Sequence, residues 1–93
     1  MATFKQRLKE CYNLTVKEYE ERSDLQGGVC AICGRPETVE KYGEVQRLSV
    51  DHDHDTGIIR GLLCMACNAL IGQAAEDPAV LVSAVNYLRN HET

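Results

Sequence analysis

No stretch of this 93-residue chain is apolar for long enough to cross a membrane, and Met1 to Glu10 is polar and charged where a secretory leader would be apolar. Membrane-spanning and secreted classes are therefore not expected, and the compartment is read as reducing and cytoplasmic. Internal repeats and low-complexity tracts are also lacking. Tryptophan is absent and phenylalanine occurs once. A single domain of this size buries only a modest core, giving a net stability on the order of a few kcal/mol, so some form of staple is expected. A dense basic run is missing as well. The formal charge is −4, whereas nucleic-acid binders usually carry a basic face, so composition alone leaves the partner open. The positive charge is scattered: Lys5, Arg7 and Lys9 near the start, then Arg35, Lys41, Arg47 and Arg60 around the centre.

What the chain does contain is cysteine. Four of its five cysteines fall into two pairs, Cys30-Ala-Ile-Cys33 and Cys64-Met-Ala-Cys67, about thirty residues apart. Each pair spans a turn short enough to bring two thiolates to one metal at a Zn–S distance of ~2.3 Å, and four thiolates close a tetrahedral shell. A closed shell leaves no position for water, so such a zinc is structural. In a reducing compartment this reading is preferred over disulfides, and a redox dithiol would need one pair, not two. Four thiolates on one divalent ion make the net charge more negative still, and a second divalent cation would restore the difference. Cys11 stands outside the pairs and is read as an ordinary, partly buried small residue.

Thr3 to Tyr12 is predicted to be a short helix with Phe4, Leu8 and Cys11 on one face. Thr15-Val16-Lys17-Glu18 fits a capping box that opens a second helix, running to about Gln26 and stopping at Gly27-Gly28. Its apolar positions are Val16, Tyr19 and Leu25. Arg35 to Gly43 reads as a loop, Glu44–Val50 and Ile58–Leu63 as two strands, and Asp51 to Gly57 as their connection, with Asp55-Thr56-Gly57 as turn chemistry. A short helix is expected from near Cys64 to about Ile71, ended by Gly72. Asp77-Pro78 marks a last helix, to about Asn90, whose stripe of Val80, Leu81, Ala84, Val85 and Leu88 is expected to finish the core. The chain is thus a small α+β fold: N-terminal helices over residues 1–28, a stapled centre over 29–73 and a C-terminal helix over 77–91.

Between the cysteine pairs lies Asp51-His52-Asp53-His54, and Asn68 directly follows the last cysteine. On a regular strand the two aspartates face one way and the two histidines the other. Carboxylate and amide oxygens suit Mg²⁺ or Mn²⁺, ions that keep several waters and engage phosphate. An imidazole beside them can take a proton from water near neutral pH. Read alone, the run is equally open to a second metal patch or a polar turn.

Cys30-x-x-Cys33, Val50-Asp51-His52-Asp53-His54-Asp55-Thr56-Gly57, Arg60-Gly61-Leu62-Leu63-Cys64-x-x-Cys67-Asn68 and Ile71-Gly72 together resemble the recombination endonuclease VII family, part of the HNH or His-Me finger nucleases and common in bacteriophages. The resemblance covers about Tyr19 to Leu88. It implies a ββα-metal core stapled by a Cys₄ zinc and Mg²⁺- or Mn²⁺-dependent hydrolysis of DNA phosphodiesters to 5′-phosphate and 3′-hydroxyl ends. It further implies Asp51 and Asn68 as ligands of the catalytic ion, His52 as general base and His54 against the scissile phosphate. If the chain is phage-encoded, the host cytoplasm is its setting. One departure stands out: some members carry a glutamate three residues after the metal-binding asparagine, where this chain has Ile71, leaving Glu76, Asp77 or water to fill its place. The chain also ends soon after its last helix, without the further helices that form intertwined dimers in junction-resolving members, so nicking or cutting is expected over junction resolution. It is expected to act as a monomer or homodimer. Two rival readings remain: a non-catalytic zinc-stapled module binding DNA or a protein, and a nicking accessory of phage packaging that works with terminase.

Overall fold

A computed structural model describes residues 3–91. Helix α1, Phe4–Tyr12, starts from a reciprocal capping box: the Thr3 hydroxyl accepts from the Gln6 amide at 3.1 Å, and the Gln6 side chain accepts from the Thr3 amide at 2.8 Å. Helix α2, Val16–Leu25, starts the same way from Thr15 and Glu18, both distances being 3.1 Å. Its end carries the two bonds of a Schellman motif, Gly27 N–H to Asp24 C=O and Gly28 N–H to Ser23 C=O, with Gly27 at φ +70°. Both expected helices are therefore present, and Gly27-Gly28 stops the second. Leu25, however, points away from the core and is 88% exposed. What docks this end of α2 is polar. The Gln26 amide group donates to the carbonyls of Val29 and Leu62 at 2.8 and 2.9 Å, and its carbonyl accepts from Leu62 N–H at 2.9 Å.

The centre holds two small antiparallel sheets. Strands β1, Glu40–Lys41, and β2, Glu44–Val45, form a hairpin where a loop was expected. Tyr42 and Gly43 both take positive φ, 55° and 80°, as a tight two-residue hairpin turn requires. The long strand expected over 44–50 is consequently split. Strands β3, Ser49–His52, and β4, Ile59–Leu63, form the second pair. Asp51 and His52 thus belong to a strand and not to the connection, which runs from Asp53 to Ile58. Here the Asp53 carboxylate accepts from the Asp55 and Thr56 amides at 2.8 and 3.0 Å.

Helix α3, Met65–Gln73, packs against β3. It runs through Gly72 instead of stopping there. Ala75 N–H bonds Gly72 C=O and Glu76 N–H bonds Ile71 C=O, so the turn that ends it is a Schellman motif whose left-handed position is taken by Ala75, φ +56°, followed by Glu76, also +56°. Helix α4, Pro78–Asn90, opens with Asp77 as N-cap and Pro78 in its first turn, as expected.

The core is Leu8, Leu14, Tyr19, Leu48, Val50, Leu62 and Leu63 with Cys30, Cys64 and Cys67. Tyr19 closes one side, its ring 5.0 Å from that of Phe4 and its hydroxyl donating to Leu48 C=O at 2.6 Å. The stripe of α4 does not join this core. Among the described residues of that helix none is buried, and Val80, Val85 and Leu88 are all exposed. Among the described residues, none from α4 belongs to the buried cluster or to the partly buried hydrophobic residues packed against it, which come from α1, α2, the strands, α3 and the loops between them. Cys11 is likewise exposed, not partly buried. No described helix is long and apolar enough to cross a membrane.

Candidate functional site

The two cysteine pairs converge. The sulfurs of Cys30, Cys33, Cys64 and Cys67 all lie within 4.8 Å of one another. Cys33 and Cys64 Sγ are 3.8 Å apart, and the edge of a tetrahedron with ~2.3 Å Zn–S bonds is also ~3.8 Å. The local backbone prepares the thiolates. Ile32 N–H points at Cys30 Sγ and Cys67 N–H at Cys64 Sγ, both at 3.4 Å, and Cys64 is itself the N-cap of α3. Burial pushes the Cys30 thiol up, but the N–H groups of Cys33, Cys64 and Ile32 outweigh it and bring the thiol down to about 6. Cys33 is lowered chiefly by the Arg35 N–H. Cys67 is pushed up to about 12, by burial first and then by the neighbouring thiols. Four soft donors at tetrahedral spacing suit a structural metal such as zinc, and Cys67 gains most from its charge.

On the far side of α3 a second group gathers. Asp51, His54, Asn68, Ile71, Gly72, Ala75 and Glu76 line one open cavity of about 190 Å³. Asp51 comes from β3, Asn68 from the first turns of α3 and Glu76 from the left-handed turn that ends it. Asp51, His54 and Asn68 are thus brought together, and His52 is not among them. The His52 ring stands beside the cavity, 5.0 Å from the His54 ring on one side and 5.4 Å from the Tyr12 ring on the other. The regular strand alternation that would put Asp51 with Asp53 on one face and His52 with His54 on the other fails here, since Asp51 shares its cavity with His54. The ladder slips by one residue, Asp51 pairing Gly61 and His52 pairing Ile59, so Arg60 is left over as a bulge. Asp53 turns away to hold its own loop, and the Thr56 and Asp55 N–H groups keep its carboxyl below the usual range.

The bulge aims Arg60 at Asp51. The guanidinium grips both carboxylate oxygens, Nε to Oδ2 at 2.8 Å and Nη2 to Oδ1 at 2.9 Å, and Nη2 also donates to Glu76 Oε1. Asp51 and Glu76 together raise the guanidinium further above its already high range. Glu76 Oε2 lies 3.7 Å from His54 Nε2. Of the two acidic residues that could stand in for the missing glutamate, Glu76 therefore enters the cavity. Asp77 does not, since its carboxylate caps α4 through the Ala79 N–H at 2.9 Å. Arg60 is the residue that sequence reading gives no role in the site, its one signal being a positive charge near the centre, whereas Glu76 is one of the replacements offered for the missing glutamate.

Asp51, Asn68 and Glu76 give this cavity two carboxylates and an amide, oxygen donors that fit a hard divalent cation in chemistry, with the His54 imidazole beside them. Among the described residues the set is not a preassembled cage, because Arg60 holds both oxygens of Asp51 and a cation would have to take at least one of them.

The chain is similar over 84 residues to the "Gene 59 protein" of Mycobacterium phage D29, with 45% identity covering 89% of this chain and 48% of that protein. To the protein of the same name from Mycobacterium phage L5 it is 44% identical over 85 residues, covering 90% and 49% respectively. It spans about half the length of these relatives. No solved structure matches it. The model of recombination endonuclease VII matches residues 5–90, nearly the whole sequence with both cysteine pairs and the Asp51–Asn68 cavity inside it, and the chain belongs to that family of nucleases.

Proposed function

We propose that this chain is a DNA endonuclease whose centre is a ββα-metal, HNH-type core formed by β3, β4 and α3. The observation that carries this reading is the cavity lined together by Asp51 of β3, His54 of the loop between the strands and Asn68 of α3. Asp51 and Asn68 would hold Mg²⁺ or Mn²⁺, and the bound ion supplies charge neutralisation at the scissile phosphate and the leaving oxygen. Arg60 must release one oxygen of Asp51 for that binding, and Glu76 is placed to keep the guanidinium at the rim of the cavity. His52 is the proposed general base, and its imidazole takes the proton of the attacking water at the edge of the cavity. The Tyr12 and His54 rings on either side fix its position. His54, inside the cavity, is placed to donate to a phosphate oxygen, with Glu76 as its partner. The metal that the four cysteines would hold takes no part in the chemistry and would tie the knuckle after α2 to the start of α3.

One observation favours a second assignment of the base. His54, not His52, lines the cavity with Asp51 and Asn68. Nicking of supercoiled plasmid by zinc-loaded protein, with and without Mg²⁺, separates the two. His52→Ala is expected to keep its fold and zinc and to nick about 10²–10⁴-fold more slowly, the usual worth of a general base, while His54→Ala loses less. The reverse order would move the role to His54. Full activity in both variants would remove the histidine mechanism and leave a zinc-stapled binding module. Whether a phage packaging terminase or any other partner is engaged is a separate question, tested by nicking with and without that partner present.

A further inference from the structure

Beside the acidic cavity lies a groove of the opposite character. It runs between α1 and the β1–β2 hairpin and has a volume of about 300 Å³. Three cations line it, Arg7 from α1, Lys41 from β1 and Arg47 just beyond β2, and no aspartate or glutamate does. That is a notable segregation in a chain with 14 acidic residues against 10 basic ones. All three cations are exposed, and among the described residues none of them makes an ion pair. Arg47 is held in place without being neutralised, its guanidinium 4.1 Å from the centre of the Phe4 ring. Tyr12 also lines the groove, and its ring is the one that stands against His52. Groove, Tyr12, His52, His54 and the acidic cavity therefore follow one another without interruption.

We propose that this groove is the phosphate track of the enzyme, with duplex DNA laid along Arg7, Lys41 and Arg47 so that the strand leaving the groove past Tyr12 presents a phosphodiester to His52. The proposal rests on the nuclease reading and adds to it the surface that selects a polyanion in an acidic protein. Charge complementarity names the occupant. Unpaired cations at the wall of an open groove recognise a line of phosphates, and contacts of this kind bind without reading sequence. A tyrosine and a phenylalanine in the same wall add apolar faces for sugar or base.

The test is the salt dependence of binding by the full, zinc-loaded chain to a labelled DNA duplex, without added Mg²⁺, read by fluorescence anisotropy. Each phosphate contact contributes ~0.9 to the slope of log affinity against log salt. Arg7→Ala with Lys41→Ala should therefore flatten the slope by ~1.8. Between 50 and 200 mM salt, the wild-type affinity should then fall about 12-fold further than that of the variant. Lys17→Ala with Arg89→Ala removes the same charge away from the groove and should leave the slope as it is. Adding Arg47→Ala to the groove pair should remove a further ~0.9, with a thermal melt run alongside because Arg47 packs on Phe4. Equal slopes in the two double variants, or a wild type that does not bind DNA, overturn the track. Nicking measured in parallel keeps the two ideas apart. Wild-type protein that nicks while the groove variant binds unchanged removes the track and leaves the nuclease. Protein that binds through the groove and never nicks does the reverse.

Discussion

Replacing Cys30 by serine tests how much of this fold is held by its metal. Cys30 is 2% exposed, and its sulfur lies within 4.8 Å of the other three. A domain of this length is stable by about 5–14 kcal/mol in total, and the apparent binding free energy of a structural Zn²⁺ is about 10–16 kcal/mol. The core supports the lower end of the first range: ten buried residues, three of them the cysteines themselves. Loss of the metal therefore removes as much free energy as the folded state possesses, and Cys30→Ser should be largely unfolded at 25 °C. Metal content and a far-UV circular dichroism melt read this directly, and Cys11→Ser is the control, since Cys11 is exposed and outside the cluster. The sign of the pH dependence is fixed by the same thiols. Cys67 lies near 12 and keeps its proton at neutral pH, so zinc added to reduced, metal-free protein must release protons, and its apparent affinity rises with pH. Cys30→Ser protein that melts cooperatively at the wild-type temperature would refute the structural role of the metal.

Three further outcomes follow from particular positions. Leu62 is fully buried, so Leu62→Ala should cost about 2–5 kcal/mol, measured as a lower urea midpoint in zinc-loaded protein. Ala75 holds the left-handed position of a Schellman motif with a Cβ, and Ala75→Gly should raise stability by about 0.5–1 kcal/mol in the same measurement. The Asp53 carboxyl is lowered by the Thr56 and Asp55 amides, so its contribution is present above the ordinary carboxylate range near ~3.9 and lost as pH falls through its lower folded value. The NMR amide shifts of Asp55 and Thr56 should titrate in that acid window, and Asp53→Asn should abolish the titration.

What was legible in the sequence was local or tied to ligand spacing. Thr15 with Glu18, Gly27-Gly28 and Asp77-Pro78 carry their own stereochemistry, and each marks a helix end where expected. The cysteine pairs specify their own convergence, because two short turns offering thiolates have few other ways to be satisfied. The β1–β2 hairpin escaped notice because Tyr42 occupies a positive-φ turn position usually given to asparagine or glycine. The end of α3 was misplaced because Gly72 offered a stop that Ala75 provides instead. The α4 stripe has helical spacing, but spacing cannot say whether a core remains to receive it. Of the residues that share the candidate cavity, Asp51, His54 and Asn68 were legible and Glu76 was one of two acidic candidates, while Arg60 meets Asp51 through a bulge that leaves no mark in a hydrophobic pattern.

The bulge has a consequence for how this site can change. The ladder is regular up to the Asp51–Gly61 pair and has the single pair His52–Ile59 beyond the bulge, and both pairs could persist if Arg60 were removed. Strand β4 is one residue longer than its pairing needs, and the surplus residue is the arginine that grips Asp51. The charge opposite the proposed ligand is thus encoded by the length of a strand as well as by its letters. A single-codon deletion would erase it while leaving the sheet intact, a change that no scan of point substitutions would sample.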